Sequence, residues 1–335
     1  MKNRGIKRIF KRIREELKST IRISKVVGIK KAFNTLIAKV DIQIMNHNGY
    51  YENETRKRHL LKKHKTMLEY IEHEYSTYIN NYDFKNVELI KKDKKNLDKI
   101  WICWWQGLDN APEIVKICVN SIKKNAGKHD VIVIDESNYK NYIDFPDWLI
   151  DKYNKNIISK THFSDLLRLE ILSRYGGLWI DSTFYCIDNI EEYFDMPIWS
   201  IKRPEYFHAS VASGYFANYS LGCQFEYRRS FRIFRDFLIE YWKNNDEIVD
   251  YLLTDYIIKM IIDNDKETKE LFNNIPNNND NCDELFKKIN DKYDEKEWND
   301  IKHNTKMFKL SWKYKFKESN KNEKTFYGKL IYKKL

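Results

Sequence analysis

Three short apolar runs, separated from one another by turns and helical patterning, most tightly constrain how this chain can fold. "KIWICWW" ends at "QGLDNAP", where Pro112 is placed to start a helix through "EIVKICVNSIKKNAG" that stops at Gly127. "DVIVIDESN" reads as a second buried strand, and "FPDWLIDKY" starts another helix. "SKTHFSDLLRLEILSRYGG" predicts a helix with Thr161 as its N-cap and Gly176 as its stop, after which "GLWID" enters the sheet. Strands alternating with helices imply an α/β sheet that gathers its ligands at the carboxyl ends of the strands.

One side chain stands out against that frame. Asp181 closes the apolar run of "GGLWIDSTFYC", and a carboxylate there has to be solvated, paired or bound to a metal. Strand alternation places Asp181 and Thr183 on the same side. In the preceding helix Asp165 and Arg168 share one face, as a surface ion pair or as a functional pair. Further on, "MPIWSIKR" and "SVASGYFANYS" read as strands, "RRSFRIFRDFLIEYWKNN" as an amphipathic helix, and "VDYLLTDYIIKMIIDND" as a helix carrying Asp255 in apolar company. Residues 273–303 are polar, with loops and short helices, and "KMFKLSWKYKFK" and "KTFYGKLIY" are aromatic and strand-like.

Charge is unevenly spread. Residues 1–31 carry twelve Lys/Arg against Glu15 and Glu16, while the remaining chain is close to neutral. Within them Ile6, Ile9, Phe10, Ile13, Leu17 and Ile21 recur at helical spacing, giving a basic amphipathic helix that packs on its own domain or docks on an anionic membrane surface. Nucleic acid is disfavoured, since its recognition usually spreads over a folded basic surface. Residues 32 to about 97 are helical and close in "KKDKKNLDK", so the expected division is a basic helical region over 1–97 and an α/β domain over 98–335. His59, His64 and His73 do not share a helical face and make no metal site. Five cysteines without a CxxC pair fit a reducing cytosol, and neither a signal peptide nor a membrane-spanning run is expected.

"WICWWQGLDNAPEIVKICVNSIKKN", "HFSDLLRLEILSRYGGLWIDST", "LLTDYIIKMI" and "FKLSWKYKF...TFYGKL", in that order, resemble the capsular polysaccharide synthesis protein family, relatives of the DXD-motif sugar transferases with a GT-A fold. The resemblance covers roughly residues 98–335. It implies a Rossmann-like nucleotide-sugar domain with a mixed sheet. The implied activity moves a hexose from a nucleotide-sugar, UDP-hexose, onto a glycan or lipid-linked acceptor with retention. The expected location is the cytoplasmic face of the membrane, held there peripherally through residues 1–31.

The same resemblance implies site residues. Asp181 is expected to be catalytic and to hold Mn2+ or Mg2+ on the leaving diphosphate. Thr183 stands where the motif has a second carboxylate, and Phe308 where a metal-binding His is expected, with His303 as the substitute ligand. A hydroxyl is a poor replacement for a carboxylate, so a one-residue metal site and a metal-independent enzyme both stay open. Asp165 and Arg168 match "SDxxR", implying contacts to sugar hydroxyls and phosphate. Trp105, Gln106 and Gly107 are expected near base and ribose, Gly177 at the substrate, and Asp255 as a catalytic carboxylate on the acceptor side. The alternative is an inactive relative that binds nucleotide-sugar or glycan without turnover.

Overall fold

The computed structural model describes residues 2–47, 51–90, 96–204 and 206–332. The chain opens with helices α1 (Lys2–Val27), α2 (Ile29–His47) and α3 (Glu54–Asn81), the first two broken apart at Gly28, whose φ is +86°. Then come β1 (Ile100–Cys103), α4 (Glu113–Lys124), β2 (Val131–Ile134), α5 (Asp147–Asn154), α6 (Lys160–Tyr175) and β3 (Gly177–Ile180). Strands β4 (Phe184–Cys186), β5 (Ile198–Ser200) and β6 (Ser220–Cys223) lead into α7 (Arg229–Asn244), α8 (Leu253–Asn264) and α9 (Lys266–Asn273). Short helices α10 (Glu284–Lys288) and α11 (Glu295–Ile301) precede β7 (Met307–Lys309) and a small hairpin, β8 (Ser319–Asn320) with β9 (Glu323–Lys324).

The central sheet has the order β2-β1-β3-β6-β5. Its first three strands are parallel, as the alternation predicts, and β6 runs antiparallel to both β3 and β5. Alternate residues face opposite layers. Ile100, Ile102, Leu178 and Ile180 join α4, β4 and β7 in one hydrophobic cluster, while Trp101 and Trp179 join α6, α7 and α8 in the other. Both faces are therefore covered, which is why these strands read as unbroken apolar runs.

Local differences from the expected elements have identifiable causes. Ser159, not Thr161, caps α6, its hydroxyl accepting from the His162 N–H. Residues 207–216 turn instead of extending, because Ser213 and Gly214 take φ of +45° and +93°. "TFYGKLIY" forms a helical turn over Tyr327–Ile331, and its buried Phe326, Tyr327, Leu330 and Ile331 follow helical spacing, not alternation.

Helices α1–α3 are built into the second layer. Ile23, Ala32, Met67, Tyr70, Ile71 and Tyr75 share the cluster of Phe237, Tyr241 and Tyr256, so the core runs across the expected division at residue 97. Residues 91–95 of that charged boundary stretch lie outside the described residues. A buried polar knot ties the layer together. The Lys63 ammonium stands 3.0 Å from Asp250 and donates to the Tyr256 hydroxyl at 2.9 Å, which is 2.7 Å from His64 Nδ1. Burial, reinforced by the Lys63 charge, pushes His64 down to about 4, so it sits there as a neutral ring. His59 instead pairs with Asp41 at 2.7 Å.

Asp250 is shared by Lys63 and, at 3.5 Å, by Lys39, so removing Lys63 leaves the buried carboxylate with its more distant cation. Lys63→Ala is expected to cost about 3 kcal/mol in urea unfolding, and Lys63→Met combined with Asp250→Leu to recover most of it. A loss below about 1 kcal/mol for the single variant, the range of an exposed pair, would contradict this role.

Candidate active site

Helix α6 and strand β3 run in opposite directions across a turn of two glycines, so the first half of the helix returns to the strand's carboxyl end. Gly176 and Gly177 take φ of +66° and +85°, and a Cβ on Gly177 would collide with the Lys99 carbonyl. That close approach of backbones accounts for Gly177. It lies at the amino end of β3, roughly 13 Å along the strand from Asp181, so the expected substrate contact is not where this residue sits.

Asp181 follows directly on β3. The Phe184 N–H donates to the Asp181 carbonyl at 3.1 Å, so residues 181–184 form a tight turn. The turn, and not strand alternation, brings Thr183 beside Asp181. Strand β7 pairs with β4 so that Lys309 lies opposite Phe184. Its ammonium donates to Asp181 Oδ2 at 2.9 Å and to Thr183 Oγ1 at 2.8 Å, and sits 5.2 Å and 5.1 Å from the ring centres of Phe184 and Tyr219.

Arg168 holds the other side of the same carboxylate. Its Nη2 is 3.4 Å from Asp181 Oδ1, which also accepts from the Trp179 indole at 3.3 Å. Its Nη1 donates to Asp165 Oδ1 at 2.8 Å and to Asn218 Oδ1 at 2.6 Å, and the guanidinium lies 5.2 Å from the Trp179 ring centre. Asp165 Oδ2 accepts from the Thr254 hydroxyl at 3.1 Å, and Asn218 Nδ2 reaches Asp255 Oδ2 at 3.5 Å. Asn218 arrives because β6 starts beside the end of β3, where the Asp181 N–H donates to the Tyr219 carbonyl at 3.1 Å. The pair Asp165 and Arg168 thus forms one connected network with Asp181 and Asp255.

The carboxylates differ in ionisation. Burial raises the Asp181 pKa, but Lys309 and Arg168 outweigh it and hold the group below its ordinary value, ionised. Burial, with the Asp165 charge added, pushes Asp255 up to about 7. Such a group exchanges a proton near neutrality.

Other candidates lie elsewhere. Trp105 is buried against Tyr139, Phe163 and Tyr153, with ring centres 5.2, 5.3 and 5.7 Å away, and serves the core. Gln106 is exposed, and Gly107 turns the chain at φ +76° next to Asp135. At this edge Trp104 and Trp312 meet edge-on at 5.7 Å. Phe308 is fully buried in the core. His303 is exposed after α11, beyond the amino end of β7, whereas Lys309 stands at the carboxyl end. It is not brought to Asp181.

The residues here do not fit a divalent cation. Asp181 and Thr183 contribute one carboxylate and one hydroxyl, and both face the Lys309 ammonium, which would repel a metal ion between them. Among the described residues no group of three or more His, Cys, Asp or Glu is placed to hold a metal. Sequence reasoning missed Lys309, Asn218 and Thr254. Lys309 had left a trace as the one charge inside "MFKLSW".

The solved PaToxG glycosyltransferase is 15% identical, covering 66% of this chain and 84% of its own, with a TM-score of 0.36. The WbbM bifunctional glycosyltransferase is 12% identical, covering 72% and 50%, with a TM-score of 0.37. Among curated proteins, a 4-hydroxy-tetrahydrodipicolinate reductase of Buchnera aphidicola subsp. Cinara cedri (strain Cc) is 30% identical over 162 residues, 42% of this chain. The chain spans 59% of the length of that relative. The sequence contains no G-x-G-x-x-G dinucleotide fingerprint after β1, where a single glycine, Gly107, stands. The family of capsular polysaccharide synthesis proteins matches residues 47–330, taking in α3 as well as the whole sheet, and the chain belongs to that family.

Proposed function

We propose that this protein is a GT-A-type glycosyltransferase that moves a hexose from a nucleotide-sugar, UDP-hexose, onto a glycan or lipid-linked acceptor in capsule synthesis, with retention at the anomeric carbon. The observation that supports it best is the cationic pair Arg168 and Lys309, fixed on Asp181 at the carboxyl ends of the parallel strands. In an open α/β sheet that edge is where a nucleotide binds. Asp165 and Asn218 are placed for sugar hydroxyls and the Trp104–Trp312 edge for the base.

In the proposed step the bond between the anomeric carbon and the β-phosphate oxygen breaks and the phosphate keeps the electron pair. The acceptor oxygen bonds to the anomeric carbon from the face the phosphate leaves, which retains the configuration, and its proton passes to the ionised form of Asp255. Fixed cations beside the departing diphosphate stabilise charge as it develops. A binding protein without turnover is the second reading, and one assay separates the two. Incubated with UDP, GDP and CDP sugars, the protein is expected to release nucleotide from one donor, and Asp181→Ala to lower that release by about a hundredfold or more while staying folded. Donor binding without release in any acceptor mixture would favour the second reading.

Asp255 gives a pH signature. The native carboxyl keeps its proton up to about pH 7, whereas the unfolded chain releases it near pH ~4. Between those values the native state binds more protons, so stability falls as pH rises. Asp255→Asn is expected to raise the melting temperature relative to the native chain more at about pH 8 than at about pH 5. Equal gains at both would contradict the shifted carboxyl.

No described helix is long and apolar enough to cross a membrane. Helix α2 leaves Ile29, Phe33, Val40 and Ile44 exposed at helical spacing, and α1 leaves Leu17 and Ile21 exposed, near the exposed Arg14, Lys25 and Lys30. The side chains of residues 1–13, which carry much of the basic charge, lie outside the described ones. Apolar and basic residues together suit an anionic lipid surface. Flotation with phosphatidylserine vesicles should carry the full chain upward, and Ile29→Glu with Phe33→Glu should leave it at the bottom. Flotation undiminished in the double variant would remove α2 from the contact.

A further inference from the structure

We infer that the Lys309 ammonium does the work of a divalent cation at this site, so that the protein binds the diphosphate of its donor without metal. The inference rests on the sugar-transfer reading and goes beyond it, because it names what neutralises the leaving group.

Position carries the argument. Lys309 Nζ lies between the two side chains, Asp181 and Thr183, that stand at the first and third places of the cation-binding turn, at 2.9 Å and 2.8 Å. Those contacts use two of the ammonium's three donors. The lysine side chain remains 21% exposed, which leaves the third donor a route to the open edge of the sheet. The aromatic rings of Phe184 and Tyr219 flank the charge and restrict where it can move. Asp181 then acts as a positioning residue: its two oxygens hold Lys309 on one side and Arg168 on the other. The next turn of chain adds Lys313 and Lys315, both exposed, and the Lys313 ammonium lies 5.3 Å from the Trp312 ring centre.

This arrangement also gives the Thr at position 183 a reason. A second carboxylate there would form a stronger ion pair with Lys309 and compete with phosphate for it, whereas a hydroxyl orients the ammonium and leaves its charge available. When the bond to the anomeric carbon breaks, the electron pair goes to the β-phosphate oxygen, and the resulting charge faces Lys309 and Arg168. No redox change or further reactant is needed.

The test is calorimetric binding of UDP, GDP and CDP to the full chain, in EDTA and again in manganese. One diphosphate is expected to bind in EDTA with an affinity within about threefold of that in manganese, since the cation is already covalently part of the chain. Lys309→Met should weaken that binding by about tenfold to a hundredfold in both buffers, and Lys309→Arg should retain most of it. To separate lost charge from lost folding, Thr183→Asp with Lys309→His provides the second variant: it rebuilds a carboxylate and imidazole set and should make binding manganese-dependent. Binding by the native chain only in manganese overturns the inference while leaving sugar transfer standing. Binding of no diphosphate in either buffer overturns both. Undiminished binding by a folded Lys309→Met assigns the charge to another residue and also overturns it.

Discussion

The carboxylate of Asp181, held between Arg168 and Lys309, is the interaction on which the rest of the site depends. A half-buried carboxylate at the end of an apolar strand is unfavourable alone, and a buried arginine equally so. Each becomes tolerable through the other. The pair fixes the first half of α6 against the end of β3, and Asp165, on the far side of Arg168, is fixed in turn through Thr254 on α8. Asn218 extends the same network to Asp255. Electrostatics set up this way leave one carboxylate ionised and another poised near neutrality, within one connected set of side chains.

How much of this the sequence discloses depends on how far apart the partners lie. Asp165, Arg168 and Asp181 fall within one helix–strand unit, so their types and spacing mark them together. Lys309 is 128 residues from Asp181, and only the pairing of β4 with β7 makes them neighbours. Asn218 enters through an antiparallel strand whose position in the sheet no local pattern fixes. The parallel half of the sheet was legible because its strands pack apolar side chains on both faces, β1 and β3 almost wholly buried and β2 partly so. The segment at 207–216 was not, since its turn is set by Ser213 and Gly214 among residues that otherwise favour extension.

Helices α1–α3 show the same contrast. Their helical character follows from periodicity, but their place does not. The sequence marks a basic helical region over 1–97 without placing it, and Lys63, wholly buried, pairs with Asp250 just ahead of α8, in the segment that leads to Asp255. The helical layer that carries Asp255 is therefore continuous with the one that exposes Ile29 and Phe33. The Asp181 network and the exposed apolar residues of α2 are thus joined through one packed core.

The most direct measurement is a crystal structure with a bound nucleoside diphosphate, grown in EDTA. A phosphate oxygen within hydrogen-bond distance of Lys309 Nζ, with Asp181 still bridging Lys309 and Arg168, is the predicted result. A diphosphate bound away from Asp181, or one seen there only when manganese is supplied and displaces Lys309, would contradict the account.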